Sequence, residues 1–217
     1  EGDARDAETL KKRRILKSSH LICLLGDDRE NVKIALTAYQ VTLDRLDKKL
    51  ICIIHLNSHN LLKLIKRSVM SIQSDDLFVL ETFNVYERIA IKLLKDFSKS
   101  SIVSKTTNDN MLIIGLGRLG QSILTNVGFQ CYQHQMADHP KITVFDIHAD
   151  KIVSNLLEKY PQLASSTIIS PLQIDVSSNS QFKKQLTGNN NLSDIQQIFV
   201  CLGDPILSVQ LALSLRN

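Results

Sequence analysis

Short apolar runs rich in β-branched residues recur along this chain, separated by segments of helical length. Such runs, bounded by glycine, aspartate or asparagine, are typical of strands buried in a parallel sheet. They are Leu21–Leu25, Leu50–Leu56, Leu77–Leu80, Met111–Ile114, Ile142–Phe145, Thr167–Ile169 and Ile198–Leu202. Apolar side chains recur at helical spacing in Val32–Val41, Leu61–Val69, Val85–Phe97, Ile123–Cys131 and Ile152–Tyr160. The alternation predicts an α/β fold with Rossmann-like parallel sheets and helices on both faces.

An internal repeat predicts two units. Gly26–Leu36 aligns without a gap to Gly203–Leu213, and each copy follows an apolar run. Two copies of one strand–turn–helix segment indicate two copies of one domain. The stretch Lys99–Asn110, rich in Ser, Thr and Asn, is predicted to link them. We expect a first unit at residues 1–104, incomplete at its N-terminus, and a second at 105–217, in a chain that begins inside a longer protein.

A glycine motif, Gly115-Leu-Gly-Arg-Leu-Gly120, directly follows the run Met111–Ile114 and precedes a helical segment. In this context the first glycine allows a tight turn, the second lets the backbone approach a pyrophosphate, and the third lets helix and strand pack closely. The next apolar run ends at Asp146, whose carboxylate could accept hydrogen bonds from ribose hydroxyls. Because it would repel a 2′-phosphate, Asp146 favours NAD or an adenosine nucleotide over NADP.

Each member of this predicted site has an alternative explanation. The motif could be a glycine turn that binds nothing, and Arg118 could be a surface arginine rather than a phosphate ligand. The motif with its strand, helix and Asp146 favours binding, and a bound anion would offset the repulsion between Arg118 and the helix dipole. Asp175, after the third strand of this unit, could contact an adenine amino group or cap a helix. Asp3 is its counterpart in the first unit.

Charge and cysteine usage exclude several functions. Residues 110–217 contain seven basic and seven acidic residues, which leaves no broad basic face for nucleic acid. The run Lys11–Arg14 is interpreted as the solvated end of a short helix, with an anionic membrane or phosphate backbone as the alternative. Cys23, Cys52 and Cys201 lie in apolar runs and are predicted to be small buried hydrophobes. Because the sequence shows neither an apolar stretch long enough to span a membrane nor a signal peptide, we expect a soluble cytoplasmic chain.

The glycine motif with Asp146 resembles the TrkA-type nucleotide-binding domain, also called the regulator-of-potassium-conductance (RCK) domain. Gly2–Leu10, Leu21–Leu25 and the Gly26–Asp28 turn, with an asparagine at Asn31 where the family has one before a helix, resemble the second half of the same domain. The resemblance covers nearly the whole chain. The resulting candidate nucleotide contacts are Gly115, Gly117, Arg118, Leu119, Gly120, Asp146, Ile147, Asp175, Val176 and Gly203. The sequence departs from the family's Gly-Asp-Ala pattern at Ile174 and Val176, and from its acidic turn at Pro205.

The resemblance implies a regulatory role. Domains of this family bind NAD, NADH, ATP or ADP and gate a potassium channel or transporter. For this chain it implies NAD or NADH, alternatively ATP or ADP, as ligand, and a membrane potassium channel or transporter subunit, separate or fused upstream, as partner. It also implies a homo-oligomer, at least a dimer, located in the cytoplasm beside or fused to an inner-membrane transport protein. The apolar stripes Val32–Val41 and Leu207–Leu215 could pair subunits or could equally be core.

Two rival functions remain. An NAD-dependent oxidoreductase would need an acid–base group and a substrate region, and no Tyr-x-x-x-Lys pair occurs in the sequence. His134, Asp138 and His139 could ligate a metal, but a polar surface loop is the preferred interpretation. His55 is interpreted as a hydrogen-bonded strand-end residue rather than a catalyst. A scaffold that has lost ligand binding is the third possibility, and the intact glycine motif argues against it for the second unit. The sequence thus favours a non-catalytic nucleotide sensor.

Overall fold

The computed structural model describes residues 2–43, 48–58, 61, 65, 77–100, 110–134, 139–176 and 195–215. They group into two compact units, Glu1–Arg88 and Ile89–Asn217. The boundary predicted between residues 104 and 105 lies outside the described residues and stays a prediction, as does most of the helix predicted at Leu61–Val69. Helix α3 (Val85–Ser100) extends across residues 88 and 89, the division between the two units.

The first unit contains a three-stranded parallel sheet in the order β1-β2-β3. Its elements are α1 (Ala7–Lys12), a 3₁₀ turn (Ile15–Lys17), β1 (His20–Cys23), α2 (Asp28–Thr42), β2 (Leu50–His55) and β3 (Phe78–Phe83). Helix α2 buries Ile34, Ala35 and Ala38 against one face of the sheet. Lys11 and Lys12 occupy the exposed last turn of α1, which confirms the helix-end interpretation of the basic run.

The second unit contains a four-stranded parallel sheet in the order β6-β5-β4-β7. Its further elements are β4 (Asn110–Ile114), α4 (Arg118–Gln133), β5 (Lys141–Asp146), α5 (Ala149–Lys159), α6 (Gln162–Ser166), β6 (Ile168–Gln173), β7 (Ile195–Val200) and α7 (Pro205–Leu215). Strand β4 lies between two others with both faces covered, which explains its unbroken apolar sequence. Edge strand β6 tolerates Pro171 because an edge has an unpaired side.

The α/β fold with parallel sheets is therefore confirmed, and each of the seven predicted apolar runs overlaps a strand, although the bounds differ by up to four residues. The sequence missed the short helix α6. It also placed Asn31 before a helix, whereas Asn31 lies inside α2 because Asp27 caps the helix four residues earlier. No helix among the described residues combines the length and apolar character that a membrane crossing needs.

Both copies of the internal repeat adopt the same local structure. Strands β1 and β7 end three residues before Gly26 and Gly203, and the next residue, Asp27 or Asp204, caps the following helix. In each copy one carboxylate oxygen accepts bonds from the backbone amides two and three residues on, at 2.7 and 3.3 Å for Asp27 and 2.8 and 3.2 Å for Asp204. The gap-free alignment therefore pairs structurally equivalent residues.

All four cysteines are buried as free thiols, which confirms the prediction for Cys23, Cys52 and Cys201. Cys201 is only 9% exposed, and burial raises the pKa of its thiol to about 12. Burial also raises the pKa of the Cys131 thiol. Because the thiolate is the reactive form, these two side chains behave as inert small hydrophobes near neutral pH.

Candidate nucleotide site

The glycine loop, defined as Gly115–Gly120, lies at the carboxyl end of β4, where the strand order reverses. One neighbour of β4 is β5, and the chain then moves outward to β6; the other neighbour is β7. In open α/β sheets, ligands bind in the crevice outside such a switch point. The loops after β4 and β7 meet here, since the Cys201 amide donates to the Ile114 carbonyl at 2.7 Å.

Two of the three glycines are required by the fold itself. Gly115 has φ +90°, a conformation that side chains disfavour, and a Cβ there would lie 2.8 Å from the Cys201 carbonyl oxygen. A Cβ on Gly120 would overlap the carbonyl oxygen of Gly115, which is backbone and cannot rotate away. These positions keep the loop tight and let α4 begin close to β4.

Gly117 is different, because nothing in the described part of the chain excludes a side chain from it. Its φ is −66°, and a Cβ would meet its nearest neighbour, the Cys201 carbonyl oxygen, only at 4.0 Å. It is exposed and occupies the N-cap of α4, where serine, threonine, asparagine or aspartate would stabilise the helix more. A bound group that needs close approach to the backbone would explain glycine at this position.

The first turn of α4 is available to an anion. The first amides of any helix lack intrahelical partners, and the N-cap residue of α4, Gly117, has no side chain that could cap them. Arg118 is the exposed first residue of α4, whereas Leu119 is half-buried against the core. The helix dipole and the Arg118 charge together favour a phosphate at this end.

Asp146 connects the glycine loop to the neighbouring strand. Its Oδ2 accepts from the Leu116 amide at 2.7 Å, and its Oδ1 accepts from the His148 amide at 2.8 Å. A carboxylate has about four acceptor sites, so two remain for other donors. The half-buried Asp146 can therefore position the loop and still accept ribose hydroxyls.

Two glutamines that the sequence did not indicate also position this region. The Gln121 side chain donates to the buried Leu116 carbonyl at 2.9 Å, so both polar groups of Leu116 are fixed by side chains. Gln173, at the end of β6, donates to the carbonyl of the exposed Ile147 at 2.8 Å. No recognised motif assigns either glutamine a role, and their partners become apparent only in the fold.

The remaining predicted contacts lie at the ends of β6 and β7. Ile174 is buried, and its amide donates to the Asp146 carbonyl at 3.1 Å, which brings the segment before Asp175 beside Asp146. Asp175 is exposed, and Val176 packs partly buried against the core. Gly203 is open, since a Cβ at this position would have no atom of the described residues within 4 Å. Residues 177–194 lie outside the described part, so both explanations of Asp175 stay open.

In the first unit, the residue that corresponds to Asp175 forms an ion pair with a neighbouring side chain. The Asp3 carboxylate pairs with Arg5 at 2.6 Å, and Arg5 also contacts Glu30 at 2.8 Å. The hydrogen bonds from Arg5 lower the pKa of Asp3 to about 2. His55 is buried at the end of β2, which confirms its strand-end position. The hydrogen bond expected of this side chain is absent at Nε2, which has no partner among the described residues. Asp138 of the possible metal group lies outside the described residues.

Comparisons with models of protein families, with curated proteins and with solved structures give no match.

Replacing Asp146 with alanine should destabilise the second unit and weaken nucleotide binding. The buried Leu116 amide would lose its acceptor, at a cost of about 1–3 kcal/mol. Denaturant unfolding measures the first effect and nucleotide titration the second. As a matched control, Asp150→Ala removes an exposed carboxylate from the first turn of α5 and should cost less than about 1 kcal/mol. Equal losses in both variants would contradict the positioning role of Asp146.

Proposed function

We propose that this chain is a nucleotide-binding regulatory module of the TrkA/RCK type, which senses NAD, NADH, ATP or ADP and gates a potassium channel or transporter. The observation that supports it most is Gly117. The fold requires glycine at Gly115 and Gly120 but leaves open space at Gly117. Glycine there suits a ligand that approaches the backbone at a helix start.

Asp146 supports a nucleotide without a 2′-phosphate. Its carboxylate already accepts one amide from the glycine loop and one from the start of α5. Two acceptor sites remain at the edge where the ribose of a nucleotide on the loop would lie. A 2′-phosphate there would face an uncompensated negative charge, so NADP should bind more weakly than NAD.

Sensing is favoured over catalysis by the groups around the loop. Cys201 approaches the loop through its backbone, and burial raises the pKa of its thiol to about 12, so the thiol is neutral and a poor nucleophile near neutral pH. Asp146 accepts backbone amides, and Asp204 caps α7. These carboxylates have structural partners, which suits a binding role better than proton transfer.

A regulatory module of this kind must couple ligand binding to an arrangement of subunits. Helix α7 offers a surface for assembly, since Ile206, Val209 and Leu213 lie on one face of it and are 68%, 59% and 59% exposed. The stripe on α2 is different, because Ile34, Ala35, Ala38 and Val41 are buried in the core. The proposed homo-oligomer therefore uses α7 rather than the α2 stripe.

Calorimetric titration with NAD, NADH, ATP and ADP tests the proposal. We expect saturable binding of at least one of them, and Arg118→Ala should weaken it about 10- to 100-fold, because a charged hydrogen bond contributes about 1.5–3 kcal/mol. Arg29→Ala is the matched control, since Arg29 is also exposed in the first turn of a helix, α2.

Two outcomes would contradict the proposal. If none of the four nucleotides binds, the glycine loop is a turn without a ligand. If NAD binds and an alcohol or 2-hydroxy acid is oxidised with it, the chain is an NAD-dependent oxidoreductase. The second outcome is measured directly by the absorbance of NADH.

A further inference from the structure

Five cations lie within seven residues at the end of helix α1. They are Lys11, Lys12, Arg13, Arg14 and Lys17, and all five are exposed. The helix dipole accounts for the first two, which occupy the last turn of α1. It does not account for Arg13, Arg14 and Lys17, because these follow the last residue of the helix. Of the five, Lys11 alone forms an ion pair with another described residue, Glu8, at 3.5 Å.

Arg14 adopts a backbone conformation that favours glycine. Its φ is 63° and its ψ is 33°, and in the part of the chain that the structure describes it is the only residue other than glycine with a positive φ. Helices often have glycine at this position, just after the C-cap. The Arg14 amide donates to the Lys11 carbonyl at 2.9 Å, as such a helix end requires. An arginine held there at a steric cost suits a role for its charge.

The fold adds two more cations to this group. The Ile51 amide donates to the Ser19 carbonyl at 2.9 Å, so the residues before β1 and before β2 lie side by side. Lys48 and Lys49 directly precede β2 and are exposed, which places them beside the segment that leads from Lys17 into β1. The seven cations at this amino end of the sheet are named the basic edge: Lys11, Lys12, Arg13, Arg14, Lys17, Lys48 and Lys49.

Two exposed leucines accompany the basic edge. Leu16 lies between Arg14 and Lys17 and is 38% exposed. Leu43 directly follows α2, which returns from the carboxyl end of β1 to the amino end of β2, and it is 55% exposed. Residues 11–19, 43 and 48–49 include no phenylalanine, tyrosine or tryptophan on which a nucleic-acid base could stack. Cations with exposed leucines suit the headgroups and acyl boundary of an anionic lipid surface.

We propose that the basic edge binds the anionic surface of a lipid membrane, with Leu16 and Leu43 entering the headgroup region. The fold collects cations from two separate segments on one surface, and each cation near an anionic membrane strengthens binding about fivefold. Because the charges are exposed, salt screens the attraction and the binding is reversible. This contact does not depend on nucleotide binding at the glycine loop.

Co-sedimentation of the whole chain with lipid vesicles tests the proposal. We expect the chain to bind vesicles of phosphatidylcholine and phosphatidylglycerol in equal parts, to leave them as salt is raised, and not to bind phosphatidylcholine alone. The triple variant Arg13→Gln, Arg14→Gln, Lys17→Gln should weaken binding about 100-fold, and Lys48→Gln, Lys49→Gln about 25-fold. The control Lys92→Gln, Lys141→Gln, Lys151→Gln removes three exposed charges from the second unit and should bind within about twofold of wild type.

A single position separates charge from backbone strain. Arg14→Gly should raise the denaturant midpoint of unfolding, because glycine adopts a φ of 63° without steric cost, and should weaken vesicle binding about fivefold. Arg14→Gln loses the same charge but keeps a side chain, so it should weaken binding equally without the gain in stability. Unchanged vesicle binding in both variants would contradict the role given to the Arg14 charge.

Three further results would overturn the proposal. The chain could fail to distinguish anionic from neutral vesicles, or the control triple could weaken binding as much as the triple in the basic edge. A DNA duplex used as a second probe could bind more tightly than the anionic vesicles, with Leu16→Ser leaving vesicle binding unchanged, which would make nucleic acid the occupant. Circular dichroism shows whether each variant is folded, as expected for substitutions at exposed positions.

Discussion

Replacing Gly117 with aspartate should abolish nucleotide binding while stabilising the protein. Aspartate is among the best N-cap residues, and its charge interacts favourably with a helix start, so the free energy of unfolding should rise by up to about 1 kcal/mol. The backbone accepts the side chain, since φ is −66° and the nearest atom to a Cβ is 4.0 Å away. The new carboxylate would occupy the amides that a phosphate needs and would repel it. We expect affinity to fall at least about 100-fold.

If glycine is present at this position because of a ligand, its replacement should raise the free energy of unfolding and weaken nucleotide binding. If the fold itself required glycine there, the replacement would lower the free energy of unfolding. Titration calorimetry and denaturant unfolding on the same samples measure the two effects. Gln162→Asp is the control, since it adds the same charge at the exposed start of helix α6. If Gly117→Asp binds nucleotide as wild type does, the phosphate does not contact this helix start.

Replacing Gly120 with alanine should have the largest effect on stability. The new Cβ would overlap the Gly115 carbonyl oxygen, so β4 and α4 would have to separate. Overpacking costs about 1–3 kcal/mol and sometimes more, while alanine regains up to about 1 kcal/mol of helix propensity. Because the clash is with backbone, we expect a net loss of about 2–4 kcal/mol in the free energy of unfolding, measured by denaturant titration.

Alanine substitutions at two other glycines serve as controls for this result. A Cβ on Gly203 meets no described atom within 4 Å, so Gly203→Ala should change stability by less than about 0.5 kcal/mol. A Cβ on Gly128 would meet a methyl group of Leu163, a flexible side chain that can move, so Gly128→Ala should lie between the two. A Gly120→Ala variant as stable as Gly203→Ala would contradict the described packing of α4 on the loop.

Much of the site could be predicted from local sequence. The run Met111–Ile114, the glycine motif and the strand ending at Asp146 each specify a strand, a turn or a helix start over a few residues. Their positions at neighbouring strand ends follow from the rules of parallel sheets. The structure adds that Asp146 accepts the Leu116 amide, a contact that needs the β4–β5 register.

Other features depend on contacts between distant parts of the chain. The motif treats Gly115, Gly117 and Gly120 alike, and only the distances to Cys201 and to the Gly115 carbonyl separate them. The sequence pattern likewise treats the strands at Leu21–Leu25 and Ile198–Leu202 alike. Their exposure differs because this face of β7 lies in a core cluster with side chains of β4, α3 and α4, whereas one face of β1 is exposed. The pattern of apolar residues in a strand shows that one face is apolar, but it does not show which element packs against that face.

The most direct test of nucleotide binding at the glycine loop is a titration of the ¹⁵N-labelled chain with NAD and with ADP, followed by the backbone amide resonances. Binding at the loop predicts saturable shifts that are largest for Gly117–Gly120, with smaller ones at Asp146 and Gly203. The amides of β2 and β3 should not move. Absence of saturable shifts at Gly117–Gly120, or larger shifts elsewhere in the chain, would contradict the proposed site.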